Sequence, residues 1–272
     1  MDPEQRKRII ELIKKTGFPS EILLIQHLQQ AGWRVEEFDY FCDVDKDGVR
    51  KVRAIDAWAN KDIPVASSEF DALNYSLICE VKKSQQPWII FDKPVTWSSE
   101  GAPDTCSVIQ HPINQYHLDA AFRAGSLDQR NGWLGTNVYE LNEKNEKRSE
   151  SDRWYDAAMS VCKAAKYWAK DSSFVQGAKL DPIDTAFWIY KPVVVLDGDL
   201  LLAQVGDNRE VDLQEIDCAS IKFPFGNELN PAGEVYVDLV SLAHIEKYLI
   251  FCEQRNRRIA EGFEKLIMGK DL

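Results

Sequence analysis

The apolar pattern changes period between residues 33 and 83, and this limits the fold more than any other feature of the chain. Residues 3–15 read as a polar, amphipathic helix, and a second helix runs from about Pro19 to Ala31. Pro19 suits a first helical turn, and Gly32 suits a helix end. Residues 33–42, 49–59 and 73–83 are instead strand-like runs rich in β-branched and aromatic side chains. Asp47-Gly48 lies between the first two runs and predicts a hairpin. Residues 88–91 extend the third strand or begin another. Residues 92–110, rich in Pro, Ser and Gly, read as a long loop of the kind that often carries function. Helices are expected at about 111–124 and 151–170. Two apolar runs over 185–205 around Asp197-Gly198 predict a second hairpin. A strand is expected over 211–223, a short one over 234–240 and a long helix over 241–268. This order predicts an α/β chain with a mixed β-sheet flanked by helices. No repeat or linker divides it, so 1–272 reads as a single domain, with 92–150 as an inserted loop and helix elaboration.

Composition narrows the class. Of 272 residues, 44% are apolar and 28% charged, which argues for a packed core and against disorder. No apolar run approaches the roughly 18 residues that span a bilayer, and MDPEQRKRII lacks the apolar stretch of a secretory leader. A soluble, cytoplasmic protein with no membrane partner is expected. The six cysteines form no CxxC pair and read as reduced core thiols. Cys106, His111 and His117 fit no zinc spacing. The net charge of −11 argues against a protein that coats nucleic acid nonspecifically. Local grip is still available from Arg50, Lys51 and Arg53, from Lys82 and Lys83, from Lys163, Lys166 and Lys170, and from Arg255, Arg257 and Arg258.

The chemistry concentrates in the strand-like runs. Side chains alternate across a sheet, so Val52, Ala54, Asp56 and Trp58 are expected on one face. That places Asp56 on an apolar face, where a lone carboxylate is costly without a metal or a cationic partner. By the same rule Ser76, Ile78, Glu80 and Lys82 share a face, and two strands of one sheet can bring Asp56 and Glu80 to one point. In the second helix Glu21, Leu24, Ile25 and Leu28 fall on one stripe, so Glu21 extends an apolar face toward the sheet. It also complements the helix dipole.

The succession of Glu21, Ala-Ile-Asp ending at Asp56, and Cys-Glu-Val-Lys-Lys with Glu80-x-Lys82 resembles the PD-(D/E)XK, or restriction endonuclease-like, superfamily. The resemblance covers roughly residues 18–91, and extends to the helix at 151–170 and the strand near 187–196. Ile55 stands where the motif's name has proline. The resemblance implies a core of a helix, a three-stranded meander, a helix and a further strand. It implies a nuclease hydrolysing phosphodiester bonds, chiefly in DNA, in restriction, defence or repair. Asp56, Glu80, the Val81 carbonyl and Glu21 would hold Mg2+ or Mn2+, and Lys82 would orient or activate the attacking water. Hard cations of this kind take oxygen ligands and neutralise charge building on phosphate. A separate recognition subunit or a homodimer is compatible with an acidic single domain. The alternatives are an inactive nucleic-acid-binding or scaffold protein with the same fold, or a ribonuclease with the same centre.

Other motifs carry less. Asp71, in the polar loop at 60–72 that also contains Glu69, is the rival to Asp56, which is preferred for its strand pattern. Asp43, Asp45, Asp47 and Gly48 open like an EF-hand loop, but the twelfth position is Ala54 and a strand follows, so a hairpin turn is expected. Trp88, Trp97, Trp133 and Trp154 could stack bases, although aromatics more often pack cores. Gln115 and Tyr116 could contact substrate. Lys163, Lys166 and Lys170 recur at helical spacing and could face phosphate or solvent.

Overall fold

Two helices lead into a hairpin, and the hairpin feeds one large sheet. The computed structural model describes residues 1–37, 40–44, 47–64, 72–92, 133–141, 153–170, 186–225 and 234–267. Helix α1 (Pro3–Lys14) is capped by Asp2, whose carboxylate accepts from the Gln5 N–H at 3.4 Å. Helix α2 (Phe18–Gln30) carries Pro19 in its first turn and buries Leu24, Ile25 and Leu28. Strands β1 (Arg34–Glu37), β2 (Tyr40–Val44), β3 (Arg50–Ala54), β4 (Ala57–Pro64), β5 (Ala72–Lys83) and β6 (Trp88–Asp92) follow, then β7 (Trp133–Glu140) and helix α3 (Arg153–Lys170). Strands β8 (Ala186–Asp197), β9 (Leu200–Val205), β10 (Val211–Glu215), β11 (Cys218–Pro224) and β12 (Glu234–Ser241) lead to helix α4 (Ile245–Ile267).

Ten strands form one mixed sheet in the order β1-β4-β5-β8-β12-β11-β7-β6-β9-β10, and β2 pairs with β3 alone. The sheet begins as an antiparallel meander, β1 to β4 to β5, and β5 then pairs in parallel with β8. A parallel neighbour needs a long crossover, and α3 lies in this one. Helices α2 and α4 cover one face, where Leu24, Leu28, Ile245 and Leu249 meet Ala57, Ala59, Leu77, Val193 and Val195. Helix α3 covers the other, where Trp154, Val161 and Trp168 meet Trp58, Ile78, Val194 and Leu196. Val193 to Leu196 are buried without a break, as a central strand covered on both faces requires. The chain is therefore α/β, with a mixed sheet flanked by helices. Among the described residues no helix is long and apolar enough to cross a membrane.

The first hairpin departs from the expected continuous strand over 49–59. Arg34 pairs with Asn60 and Glu37 with Ala57, while Tyr40 pairs with Ala54 and Val44 with Arg50. Both ladders keep one register, so this is a single long hairpin interrupted at Ile55-Asp56. Its near half belongs to the main sheet, and its far half is an arm laid against α3. Phe41 is buried there against Tyr167 and Trp168, and Trp58 stacks on Trp168 with ring centres 4.7 Å apart. Aromatic pairs of this kind add about 0.5–1.5 kcal/mol beyond the area they bury. Asp43 accepts from Lys163 at 2.9 Å and from Arg53 at 3.1 Å. The Asp47-Gly48 turn closes the arm as a hairpin, with Gly48 at φ 76°.

The expected single face of Val52, Ala54, Asp56 and Trp58 does not form. Val52 and Ala54 are exposed on the arm, whereas Trp58 and Ile55 are buried under α3. The second expected hairpin is also absent: β8 pairs with β5 and β12, and β9 with β6 and β10. Asp197-Gly198 instead marks where the chain leaves β8 and crosses close to β5. A Cβ on Gly198 would stand 2.7 Å from the Ser84 carbonyl oxygen, closer than a side chain tolerates. The span 211–223 holds two strands, β10 and β11, and the segment 92–150 contributes β7 to the sheet between β6 and β11. The helix expected at 111–124 lies outside the described residues.

Candidate functional site

The site lies where the β4–β5 ladder ends. The last pair is Ala57 with Cys79. One step further along the same register places Asp56 opposite Glu80. Directly opposed residues in an antiparallel pair have Cβ atoms about 5 Å apart. The interruption at Ile55-Asp56 is what frees Asp56 from the ladder, and its Oδ2 accepts the Val81 N–H at 2.6 Å. A residue in an extended strand sends its N–H and C=O to the same side, so the Val81 carbonyl faces the same gap.

Along β5, Tyr75, Leu77, Cys79 and Val81 pack toward α2 and α4, and Ile78 toward α3. Glu80 and Lys82 continue the Ile78 face by alternation. They form an ion pair at 2.7 Å from Lys82 Nζ to Glu80 Oε1. Glu80 Oε2 is buried and has no hydrogen-bond partner among the described residues. Such an atom is costly in a folded protein.

Electrostatics tie four residues together. Burial raises the Glu80 carboxyl to about 6, with the Asp56 and Glu21 charges adding to the rise and Lys82 opposing it. Asp56 is raised by burial, against the pull of the Val81 N–H and Lys82. The half-buried Glu21 is raised by burial and by Asp56, again with Lys82 opposing. Glu21, Asp56, Glu80 and Lys82 therefore all feel one another, and three acids share one nearby lysine. Buried groups displaced in this way by burial and a specific neighbour are frequent at functional sites.

Helix α2 is tied to this end of the sheet. Ser20 Oγ donates to Asp197, at the end of β8. Asp197 pairs in register with Lys83, whose ammonium stands 3.5 Å from its carboxylate and donates to the Lys14 carbonyl at 2.8 Å. These ties fix the helix turn that carries Glu21. The loop after β5 is held as well, by Arg153, which donates to the Lys83 carbonyl at 2.9 Å and pairs with Glu140. Ser20 and Arg153 carried no sequence signal, because a serine or a single charge at an element end is ordinary, and Asp197 was read only as part of a hairpin turn.

The residues suit a hard divalent cation in part. Asp56 and Glu80 supply carboxylates, the Val81 carbonyl faces them, and Glu80 Oε2 lacks a partner among the described residues. Among the described residues no three His, Cys, Asp or Glu side chains are gathered closely enough to hold a metal. Glu21 stands within electrostatic range of the other two acids. A set of two carboxylates and a main-chain carbonyl does not need it.

Several sequence candidates resolve otherwise. Trp88 and Trp154 are core residues, with their rings edge-on to each other. Lys163 is bound to Asp43, and Lys166 lies over the Phe225 ring at 5.7 Å. Cys42, Cys79, Cys162, Cys218 and Cys252 are free thiols. Glu69, Asp71, Trp97, Cys106, His111, Gln115, Tyr116 and His117 lie outside the described residues. No family model, curated protein or solved structure matches the chain.

Proposed function

We propose that this chain is a metal-dependent nuclease of the PD-(D/E)XK type that hydrolyses phosphodiester bonds in DNA. The observation that carries the reading is the meeting of Asp56 with Glu80 and Lys82 at the ladder end, with Glu80 Oε2 buried and unpartnered among the described residues. The order of helix α2, meander β1-β4-β5, helix α3 and parallel strand β8 supports a restriction endonuclease-like core.

Asp56 and Glu80, with the Val81 carbonyl, would hold Mg2+ or Mn2+. The ion supplies charge neutralisation at the phosphate oxygens. The protein's own groups do the rest. Lys82 carries its ammonium on Glu80 Oε1, where it can position a water and donate to developing negative charge. Glu21 raises the negative potential and holds an outer water. The Val81 N–H fixes the Asp56 carboxylate before substrate arrives, which is preorganisation of the kind that catalysis rewards.

The test is incubation of the purified chain with plasmid, linear DNA and RNA in Mg2+ or Mn2+, with an EDTA control. Cleavage that requires metal is expected. Glu80→Ala and Lys82→Ala should each lower it by roughly a hundredfold or more while the fold is retained. Near-normal activity in either folded variant would overturn the assignment. Cleavage of RNA alone would move the substrate to the ribonuclease reading. A second reading, a nucleic-acid-binding protein without catalysis, is favoured by the absence of a three-acid metal group among the described residues. Calorimetric titration with Mg2+ or Mn2+ separates the two, because only the enzyme needs a saturable metal site.

A further inference from the structure

The two edges of the large sheet differ in kind. Strand β1 closes one edge with exposed Arg34 and Glu36, and Arg34 pairs with Asp62 at 3.0 Å. Charged side chains of this sort keep a sheet edge from pairing with another chain. Strand β10 closes the other edge, and every residue of it is exposed. Val211 and Leu213 are 57% and 52% exposed, and Val205, the rung partner of Val211 on β9, is 56% exposed. Alternation sets these three on one face. The β10 edge therefore carries an apolar strip where β1 carries a charged guard.

The ladder to β9 fixes which backbone groups of β10 are already used. Gly206 donates to the Glu210 carbonyl, and Ile216 donates to the Leu200 carbonyl. Both bonds lie in the register that pairs Val211 with Val205. The even-numbered residues of this stretch thus turn their N–H and C=O groups toward β9. Val211, Leu213 and Glu215 turn theirs to the open edge, and among the described residues no backbone bond reaches them. These groups can be satisfied by water or by one more strand.

We propose that the chain forms a two-fold dimer in which β10 pairs antiparallel with β10 of a second copy about Leu213, joining the two sheets into one. With Leu213 opposite Leu213, Val211 faces Glu215 of the second copy, and every outward N–H meets an outward C=O. Asp212 then faces Gln214 of the second copy. Leu213 also lies diagonally beside Val211 of the second copy, so the two apolar strips merge. A shift of two residues one way sets Asp212 against its own copy, a destabilising like-charge pair. The opposite shift carries Val211 past the end of the facing strand. A two-fold contact needs a patch that is complementary to itself, and only the register centred on Leu213 meets that need. In the sheet order β10 stands seven strands from β5, about 34 Å at roughly 4.8 Å per strand. The contact leaves each Asp56–Glu80 site open, and the inference stands apart from the nuclease reading.

The experiment is sedimentation velocity of the full chain, from low to several hundred micromolar protein. One strand pair is a small interface, so the dimer should dissociate on dilution. The wild type should pass from monomer to dimer across the range. Leu213→Lys sets two ammonium groups against each other on the axis and should weaken the dimer by about tenfold or more. Leu12→Lys, on the exposed side of α1, should leave it unchanged. The register is read by oxidative cross-linking above the wild-type background. Leu213→Cys should cross-link to its own copy, because opposed residues of a hydrogen-bonded pair have Cα atoms about 5.5 Å apart. Val211→Cys should not, because the two copies of that residue stand about 14 Å apart. The cysteine pair also decides the matter if Leu213→Lys does not fold. A wild type that stays monomeric, an unweakened dimer in folded Leu213→Lys, an equal loss in Leu12→Lys, or equal cross-linking by both cysteines would overturn the proposal.

Discussion

Two buried carboxylates lie two strands apart in the same sheet and are treated in opposite ways. Asp238, on β12, has Lys191 at 2.8 Å and Ser220 at 2.5 Å on Oδ1, and the Tyr248 hydroxyl at 2.8 Å on Oδ2. Burial works against its charge, but Lys191, Arg255 and these hydrogen bonds hold it below the ordinary aspartate range. Glu80, on β5, has one lysine on one oxygen and no hydrogen-bond partner on the other among the described residues, and it is raised to about 6. The fold can satisfy a buried acid where the acid is structural. At the end of β5 it leaves an acid short of positive charge, an imbalance that a cation would relieve.

The largest test of this contrast is Asp238→Ala. It strands the buried Lys191 ammonium, and breaking such a pair costs about 3–5 kcal/mol. Urea unfolding should show a loss of that size, and Glu80→Ala should show nothing comparable. A loss below about 1 kcal/mol for Asp238→Ala would erase the distinction.

The next test uses pH. Glu80 titrates at 4.5 in an unfolded chain and at about 6 in the folded one. Between those values the folded protein binds more protons than the unfolded protein, so stability falls as pH rises through this window. The interval is worth on the order of 2 kcal/mol. Glu80→Gln removes that dependence. In EDTA, the stability of Glu80→Gln relative to wild type should rise by about that amount between pH 4 and pH 7. A gap that stays constant would mean Glu80 is not strained.

The smallest effect concerns Asp56→Asn. An asparagine oxygen can still accept the Val81 N–H, while the repulsion with Glu80 and Glu21 disappears. The melting temperature in EDTA should be unchanged or higher, by an amount worth about 1 kcal/mol. Added Mg2+ or Mn2+ should raise the melting temperature of wild type more than that of the variant. A clear drop in EDTA would place Asp56 with Asp238 as a structural residue.

How much of this was legible depended on whether the deciding contact is local. Glu80-x-Lys82 needs only period-two alternation on one strand, and that strand formed as expected. The apolar run from Val193 to Leu196 read as a strand of a hairpin, and its place between β5 and β12 was set by pairing distant in sequence. The break at Ile55-Asp56 was invisible, because the alternation of Val52, Ala54, Asp56 and Trp58 runs through it unbroken. What makes the break is tertiary: Ile55 and Phe41 are claimed by α3. Strand β7 was hidden by Gly135, which weakens a strand pattern. The structure requires that glycine because a Cβ there would collide with Ile90 and Ile221. Asp238 lay in the short strand expected over 234–240 with no role assigned, and nothing nearby in sequence revealed its partner Lys191.

The unbroken register of the first hairpin constrains how its length can change. Residue numbers on the two sides of each rung have the same total on both sides of the kink, so the joint at Ile55-Asp56 bends the ribbon without slipping it. A one-residue deletion between Ala54 and Ala57 would offset one strand against the other. Side chains alternate, so such a slip turns a whole strand over, and it would set Phe41 or Ala57 facing water. Adding one residue to each strand at the joint would keep every rung matched but turn the arm over as a unit. Only paired additions of two keep both the rungs and the faces. The arm can therefore grow or shrink only in symmetric steps, and the carboxylate at its hinge keeps its place only if both strands change together.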